Sequence, residues 1–298
     1  MNYSKTLIVL LLLLLGKSLY SEVWSRGAAV VLEADGDVGV AVRGTDISYN
    51  SFEQPIYFPG AFSSDIRGGG SAFFYTSNGV ALRFTGEGVF SVDRFESLAS
   101  AAEEGGRSAG ENLGHMILNL RRGKLLIDNR SLSENSKFLV ETPVGRISFV
   151  KGVFLLEIIH DSRSSVYNFS VASAQGTARF SDFDNEPYLI YAGQQITGTG
   201  THSSPSVGVG AQTGRVREQL KAFTEVLSLL DKNPIDRSKL RSHTAELQRT
   251  EDASTQAAAM VLPERHTDNR RPIVIEYAPS SEPISPLRAE VQPPTESN

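Results

Sequence analysis

"VETPVGRISFVKGVFLLEI", Val140–Ile158, is the most regularly patterned stretch of the chain, and its reading decides the fold class. Thr142-Pro143 breaks it once. Proline brings no N–H to a sheet ladder, so this dipeptide marks a corner or an edge. Lys151-Gly152 breaks it again, where glycine permits a second bend or a close backbone approach. Ile147 and Phe149 share one side of the segment between the breaks. The continuation "VFLLEII", residues 153–159, is apolar on both sides, the pattern of a strand covered on both faces. Two successive structural strands fit these residues, and nothing in them suggests catalysis.

The same grammar extends in both directions. From Val23 to about Ile196, β-branched and aromatic residues alternate with polar ones, punctuated by Gly, Asn and Asp. "GAAVVLEADGDVGVAVRG" reads as two strands around the turn dipeptide Asp35-Gly36. In "SAFFYTSNGVALRFTGEGVFSVDRF", Asn78-Gly79 supplies a hairpin turn, Val80, Leu82 and Phe84 alternate inward, and Gly86 and Gly88 end the run. "SLASAAEEGGRSAGEN", Ser97–Asn112, is a polar surface loop or short helix between two β-rich halves. No helical pattern of 10–15 residues separates the strands, so a doubly wound α/β sheet is not expected. "GTGTHSSPSVGVGAQ", Gly198–Gln212, is a linker by composition. Val216, Leu220, Phe223, Leu227 and Leu230 then form one apolar stripe of a helix, with Thr213 as N-cap and Pro234 beyond its end. This helix caps the β-domain, packs on the side of its sheet, or pairs with a partner helix. A weaker helical segment follows through Arg237–Leu262. The Pro-rich remainder reads as disordered except for the strand-like island "PIVIEYA", Pro272–Ala278.

At the N-terminus, Lys5 precedes the apolar run Leu7–Leu15 and small residues at Gly16, Ser18 and Ser21. That is the layout of a secretory signal peptide, 1–21, with an uncleaved anchor as the other possibility. The run is shorter than the ~20 residues a spanning helix needs, so no membrane span is expected after cleavage. A net charge of -5 without a basic cluster argues against nucleic acid as a partner. The chain has no cysteine, which excludes disulfides, thiolate metal sites and a Cys nucleophile.

The sequence carries few groups arranged for chemistry. His115, His160, His202, His243 and His266 show no metal-ligand spacing. Asp35 and Asp37 flank a glycine, but the following residues turn apolar at once, unlike a Ca²⁺ loop. Glu103 and Glu104 sit on a flexible stretch that does not hold the separation paired carboxylates need. No G-x-S-x-G elbow or phosphate-binding glycine loop is present. Asn129 and Asn168 begin glycosylation acceptor triplets. The aromatic cluster in "SFEQPIYFPGAF" offers Tyr57, Phe58 and Phe62 as contacts for a sugar or peptide, or as a satellite core.

These residues carry a family likeness. "VVLEADGDVGVAV", "ALRFTGEGVFSVDRF", "LNLRRGKLLID", the opening stretch, "VASAQGTARF" and "LIYAGQQIT" resemble the strand and glycine units of the FecR-type domain of bacterial envelope proteins, over a little more than half the chain. Val153 stands where such domains often have Thr. The resemblance implies a periplasmic, all-β, solenoid-like domain that works through protein contacts. Known members add a membrane span and a cytoplasmic anti-sigma segment. Only six residues precede the apolar run here, so a stand-alone domain is expected.

The expected protein is therefore mainly β: a solenoid-like or sandwich-like domain at 22–200, a linker at 201–212, a helical segment at 213–262 and a disordered Pro-rich tail at 263–298. Its expected role is that of a non-enzymatic interaction, scaffold or signalling-related module, periplasmic or secreted, with envelope proteins as partners. The alternative is a carbohydrate or peptidoglycan binding module. No cofactor, metal or catalytic residue is expected. Candidate partner contacts are Tyr57, Phe58 and Phe62, and Ile273, Ile275 and Tyr277 of the island, which can add a strand to a partner's sheet edge.

Overall fold

The computed structural model describes residues 24–98, 113–182, 187–201, 205–232, 235 and 240. The expected signal peptide, most of the expected loop at 97–112, most of the expected second helical segment and the tail with Ile273, Ile275 and Tyr277 lie outside them. The elements are β1 (Trp24–Arg26), β2 (Ala28–Val42), β3 (Ser48–Tyr49), β4 (Ile56–Pro59), β5 (Phe62–Thr76), β6 (Ala81–Leu98), β7 (Gly114–Asp128), β8 (Lys137–Thr142), β9 (Gly145–Asp161), β10 (Val166–Ser181), β11 (Tyr188–Ile190), β12 (Gln194–Gly200), β13 (Ser206–Ala211) and α1 (Gly214–Lys232). All strands belong to one sheet ordered β13-β12-β10-β9-β8-β7-β6-β5-β2-β3, with β1, β4 and β11 attached beside it. Every pairing is antiparallel except β7–β8.

Length and ring contacts together show how this sheet makes a core. Residues 62 and 74 of β5 would lie roughly 40 Å apart on a straight strand. Their rings instead stack at 5.1 Å, as do those of Phe169 and Phe180 in β10. Phe84 and Phe90 in β6 meet at 4.8 Å, and Phe149 and Phe154 in β9 at 4.7 Å. Each long strand therefore folds back over itself. The sheet becomes two leaves of a sandwich that share their strands, with corners made by strands passing from one leaf to the other. The first leaf holds the Ala28–Asp35, Ser71–Thr76, Val153–Asp161 and Val166–Ser173 portions with β12 and β13; the second holds the other halves with β8 and β11. Of the two expected forms, this is the sandwich-like one.

Several expected turns are thus bends inside continuous strands. β2 runs through Asp35-Gly36, β6 through Gly86–Gly88, β9 through Lys151-Gly152 and β10 through Gln175-Gly176, each with a register shift in its ladder or a change of partner strand. A bend and a hairpin both call for glycine, so local sequence does not separate them. At Gly152 the reason is close approach: an added Cβ would strike the Gln175 carbonyl and the Phe154 ring. The Gly152 N–H donates to Asn129 Oδ1 at 2.7 Å, and the Asn129 N–H donates to the Gly152 carbonyl at 3.1 Å. Asn129 is 1% exposed, so its acceptor triplet serves the fold rather than a glycan. Thr142-Pro143-Val144-Gly145 is the expected corner, a two-residue hairpin between β8 and β9. The Thr142 hydroxyl donates to the Gly145 carbonyl at 2.8 Å and accepts the Val144 N–H at 3.3 Å.

The both-faces-apolar pattern of β9 has a direct counterpart. Phe154, Leu156 and Ile158 enter the core between the leaves. Val153 and Leu155 face outward, where Val216, Leu220, Phe223 and Leu227 of α1 cover them with Phe73, Leu126 and Ala172. The helix stripe read from the sequence thus packs on the side of the sheet. Thr213 caps the helix, its carbonyl accepting the Arg217 N–H at 3.1 Å and its hydroxyl accepting the Val216 N–H at 3.4 Å. Leu240 is buried against Ala28 and Val30. The linker expectation fails at its C-terminal half: Ser206–Ala211 forms β13, paired along β12 from Thr199↔Ser206 to Gln194↔Ala211. Val207 and Val209 alternate there, but glycines at the other positions mask the strand signal.

Candidate interaction surfaces

Two of the aromatic residues offered as contacts are core. Phe58 and Phe62 are 1% and 0% exposed, and their rings meet edge-on at 4.8 Å. Phe62 also meets Phe74 and Phe90 across the bend. They cannot serve as surface platforms, because inward alternation on β4 and β5 carries them into the sandwich. Tyr57, one residue out of phase, is half-buried opposite Val30 on the face reached by Leu240.

An apolar surface that no described residue covers lies elsewhere, on the outer face of the second leaf. The register sets Leu139, Ser148, Arg179 and Leu189 in one row across β8, β9, β10 and β11. Val150 opposes Thr177 in a neighbouring row, and Tyr191 follows Leu189 at the same-face spacing of two. Val150, Leu189 and Tyr191 are 58%, 47% and 52% exposed. Around them Arg146 pairs with Glu141 at 3.2 Å and Arg94 with Glu96 at 2.7 Å. Lys137 and Arg179 have no acidic partner among the described residues. In the described residues β11 pairs only with β10, so this patch meets an open sheet edge. No sequence signal separated Leu189 and Tyr191 from buried strand residues, because their exposure depends on which leaf ends beside them.

At the far end of the same leaf, His115 stacks on Trp24 with ring centroids 4.4 Å apart. Its pKa is lowered from the ordinary 6.5, first by burial and then by the charges of Lys137 and Arg94, with Glu96 opposing. The folded state therefore holds this imidazole neutral at a pH where the unfolded chain already takes up a proton. Its contribution to stability is complete above about pH 6.5 and declines as the pH falls below it. Thermal melts of the wild type should lose stability below that pH more steeply than those of His115→Gln; equal slopes would remove His115 from the acid response.

A second surface is polar. A groove of about 530 Å³ crosses the outer face of the first leaf beside the helix N-terminus. Asn168, Ser170, Thr197, Thr199 and Ser206 line it, with Glu157 and the half-exposed Ile159. Gln195, 6% exposed, anchors its floor: its Nε2 donates to Ser170 Oγ at 2.8 Å, and its Oε1 accepts the Thr213 N–H at 3.1 Å. Glu157 is neutralised by Lys124 at 3.1 Å. Among the described residues no group of three or more His, Cys, Asp or Glu could hold a metal ion, and no helix is long and apolar enough to cross a membrane. His160 leans on Tyr167 at 4.7 Å, and His202, His243, His266, Glu103 and Glu104 lie outside the described residues.

No protein-family profile matches this chain, and no curated protein matches it. Among solved structures, two crystal structures from Parabacteroides distasonis, each of a candidate anti-sigma factor, are similar to it. The first aligns with a TM-score of 0.37 at 9% identity, covering 52% of this chain and 62% of the other. The second gives 0.36 at 8% identity, covering 51% and 61%. This chain thus spans about three fifths of the length of either structure. A likeness at this level transfers no activity or partner.

Proposed function

We propose that this chain is a non-enzymatic bacterial envelope protein whose FecR-like β-domain binds other proteins as a scaffold or signalling-related module. The observation supporting this reading is the face carrying Val150, Leu189 and Tyr191, where half-exposed apolar side chains sit beside the cations Lys137 and Arg179, which have no acidic partner among the described residues. Apolar anchors ringed by charge favour a protein partner, here one with an acidic border around an apolar contact. Export to the periplasm or beyond is part of the proposal and rests on the N-terminal run Leu7–Leu15. The test is affinity capture from a bacterial envelope fraction with wild type and with Leu189→Glu/Tyr191→Glu. Both side chains are half exposed, so melting should barely change, while recovery of the captured partner should fall at least tenfold. Equal recovery would remove this face from partner binding.

The polar groove supports a second reading, a glycan-binding module. Its hydroxyl and amide side chains suit an uncharged polyhydroxyl ligand, and Ile159 offers an apolar spot. Retention of both chains on immobilised peptidoglycan, with no protein partner captured by either, would favour it over the first.

A further inference from the structure

We propose that β13 is a self-association edge, through which a second copy of this chain extends the first leaf by antiparallel pairing across a two-fold axis. Edge strands present unpaired N–H and C=O groups, and proteins that must stay apart guard them with Lys, Pro, bulges or a covering element. Among the described residues none of these guards lies on β13. Its sequence "SVGVGA" has no charged residue and no proline, and its ladder to β12 runs without a register shift. Among the described residues its pairing partner is β12 alone. The chain then turns away from the edge. Gln212 donates its N–H to the Gly193 carbonyl at 3.1 Å and its Nε2 to the Ser173 carbonyl at 2.6 Å. Thr213 is tied to Gln195, and α1 lies back over Ala172, Leu155 and Leu126.

The inner side of the strand is unfinished as well. Val209 opposes the fully buried Ile196, yet Val209 itself is 50% exposed, because among the described residues no further strand closes the core beyond it. Another strand set there would cover it. The segment is its own complement. Antiparallel pairing centred on Gly208 sets each Val207 against the partner copy's valine at 209, and Ser206 against a glycine. Two apolar cross-strand pairs form with no charge brought against charge. In an identical strand each of the two valines meets the other's counterpart, which favours a second copy over an unrelated strand. This association uses a different edge from the Leu189–Tyr191 face, so it stands or falls independently of the partner-binding reading.

Gly208 and Gly210 make the test selective. A Cβ at Gly210 meets open space, and at Gly208 only the Thr197 carbonyl at 3.9 Å, so lysine fits the fold at both. Light scattering coupled to gel filtration should give the purified full chain at tens of micromolar a mass near twice its monomer's, with at least tenfold weaker dimerisation in Gly208→Lys/Gly210→Lys at an unchanged melting temperature. The chain has no native cysteine, so Gly208→Cys should cross-link to a disulfide dimer on mild oxidation. A monomeric wild type, or a lysine variant that keeps the dimer mass, would overturn the proposal.

Discussion

Phe154→Asp is expected to leave a chain that does not fold. Phe154 is fully buried on β9, against Phe149 across the bend. Removing a phenyl ring from such a site costs about 3–5 kcal/mol, and a buried unpaired carboxylate adds several more. The total stability of a domain is only about 5–15 kcal/mol. Circular dichroism and gel filtration should report an unfolded or aggregated chain. Phe154→Leu, which keeps an apolar side chain, should stay folded with a loss of about 1–2 kcal/mol. A soluble Phe154→Asp chain with unchanged melting would mean that the ring does not hold the two leaves together.

Gly152→Ala is expected to be nearly as costly for one methyl group. The new Cβ would strike the Gln175 carbonyl on the neighbouring strand and the Phe154 ring inside the core. Asn129 grips both the N–H and the C=O of Gly152, so the backbone cannot slide away without stranding a buried donor. A loss above about 3 kcal/mol, read as a shift of the urea midpoint at constant m, fits a clash that neither strand can relieve. Gly69→Ala is the matched control. Its Cβ meets nothing within 4 Å, so a change within about 0.5 kcal/mol is expected. Similar losses at both positions would show that the effect is generic to glycine and not to the contact at 152.

The strand content was legible because alternation is a local property. Ile147 and Phe149 enter the core as their spacing implied, and the two-sided apolar run of β9 pointed to a covering element that proved to be α1. The leaves were not legible. Asp35-Gly36, Gly86–Gly88 and Gln175-Gly176 use turn chemistry for bends, and only long-range ring contacts such as Phe62–Phe74 reveal a strand doubling back. The surfaces suffered more. Phe58 and Phe62 lie one strand phase from exposure, a difference of one residue that flips every side chain between core and solvent. Leu189 and Tyr191 are half exposed at a leaf where, among the described residues, β11 pairs only with β10, and β13 was hidden by its own glycines.

Strands of 15–18 residues that serve both leaves carry a consequence for how this domain opens. In a sandwich built from separate sheets, one sheet can fray while the other persists. Here β5, β6, β9 and β10 each thread through both, so loosening either leaf pulls the same backbones out of the other. The amide protons of the two leaves should therefore exchange together, in a single cooperative unit whose opening free energy is that of the whole domain.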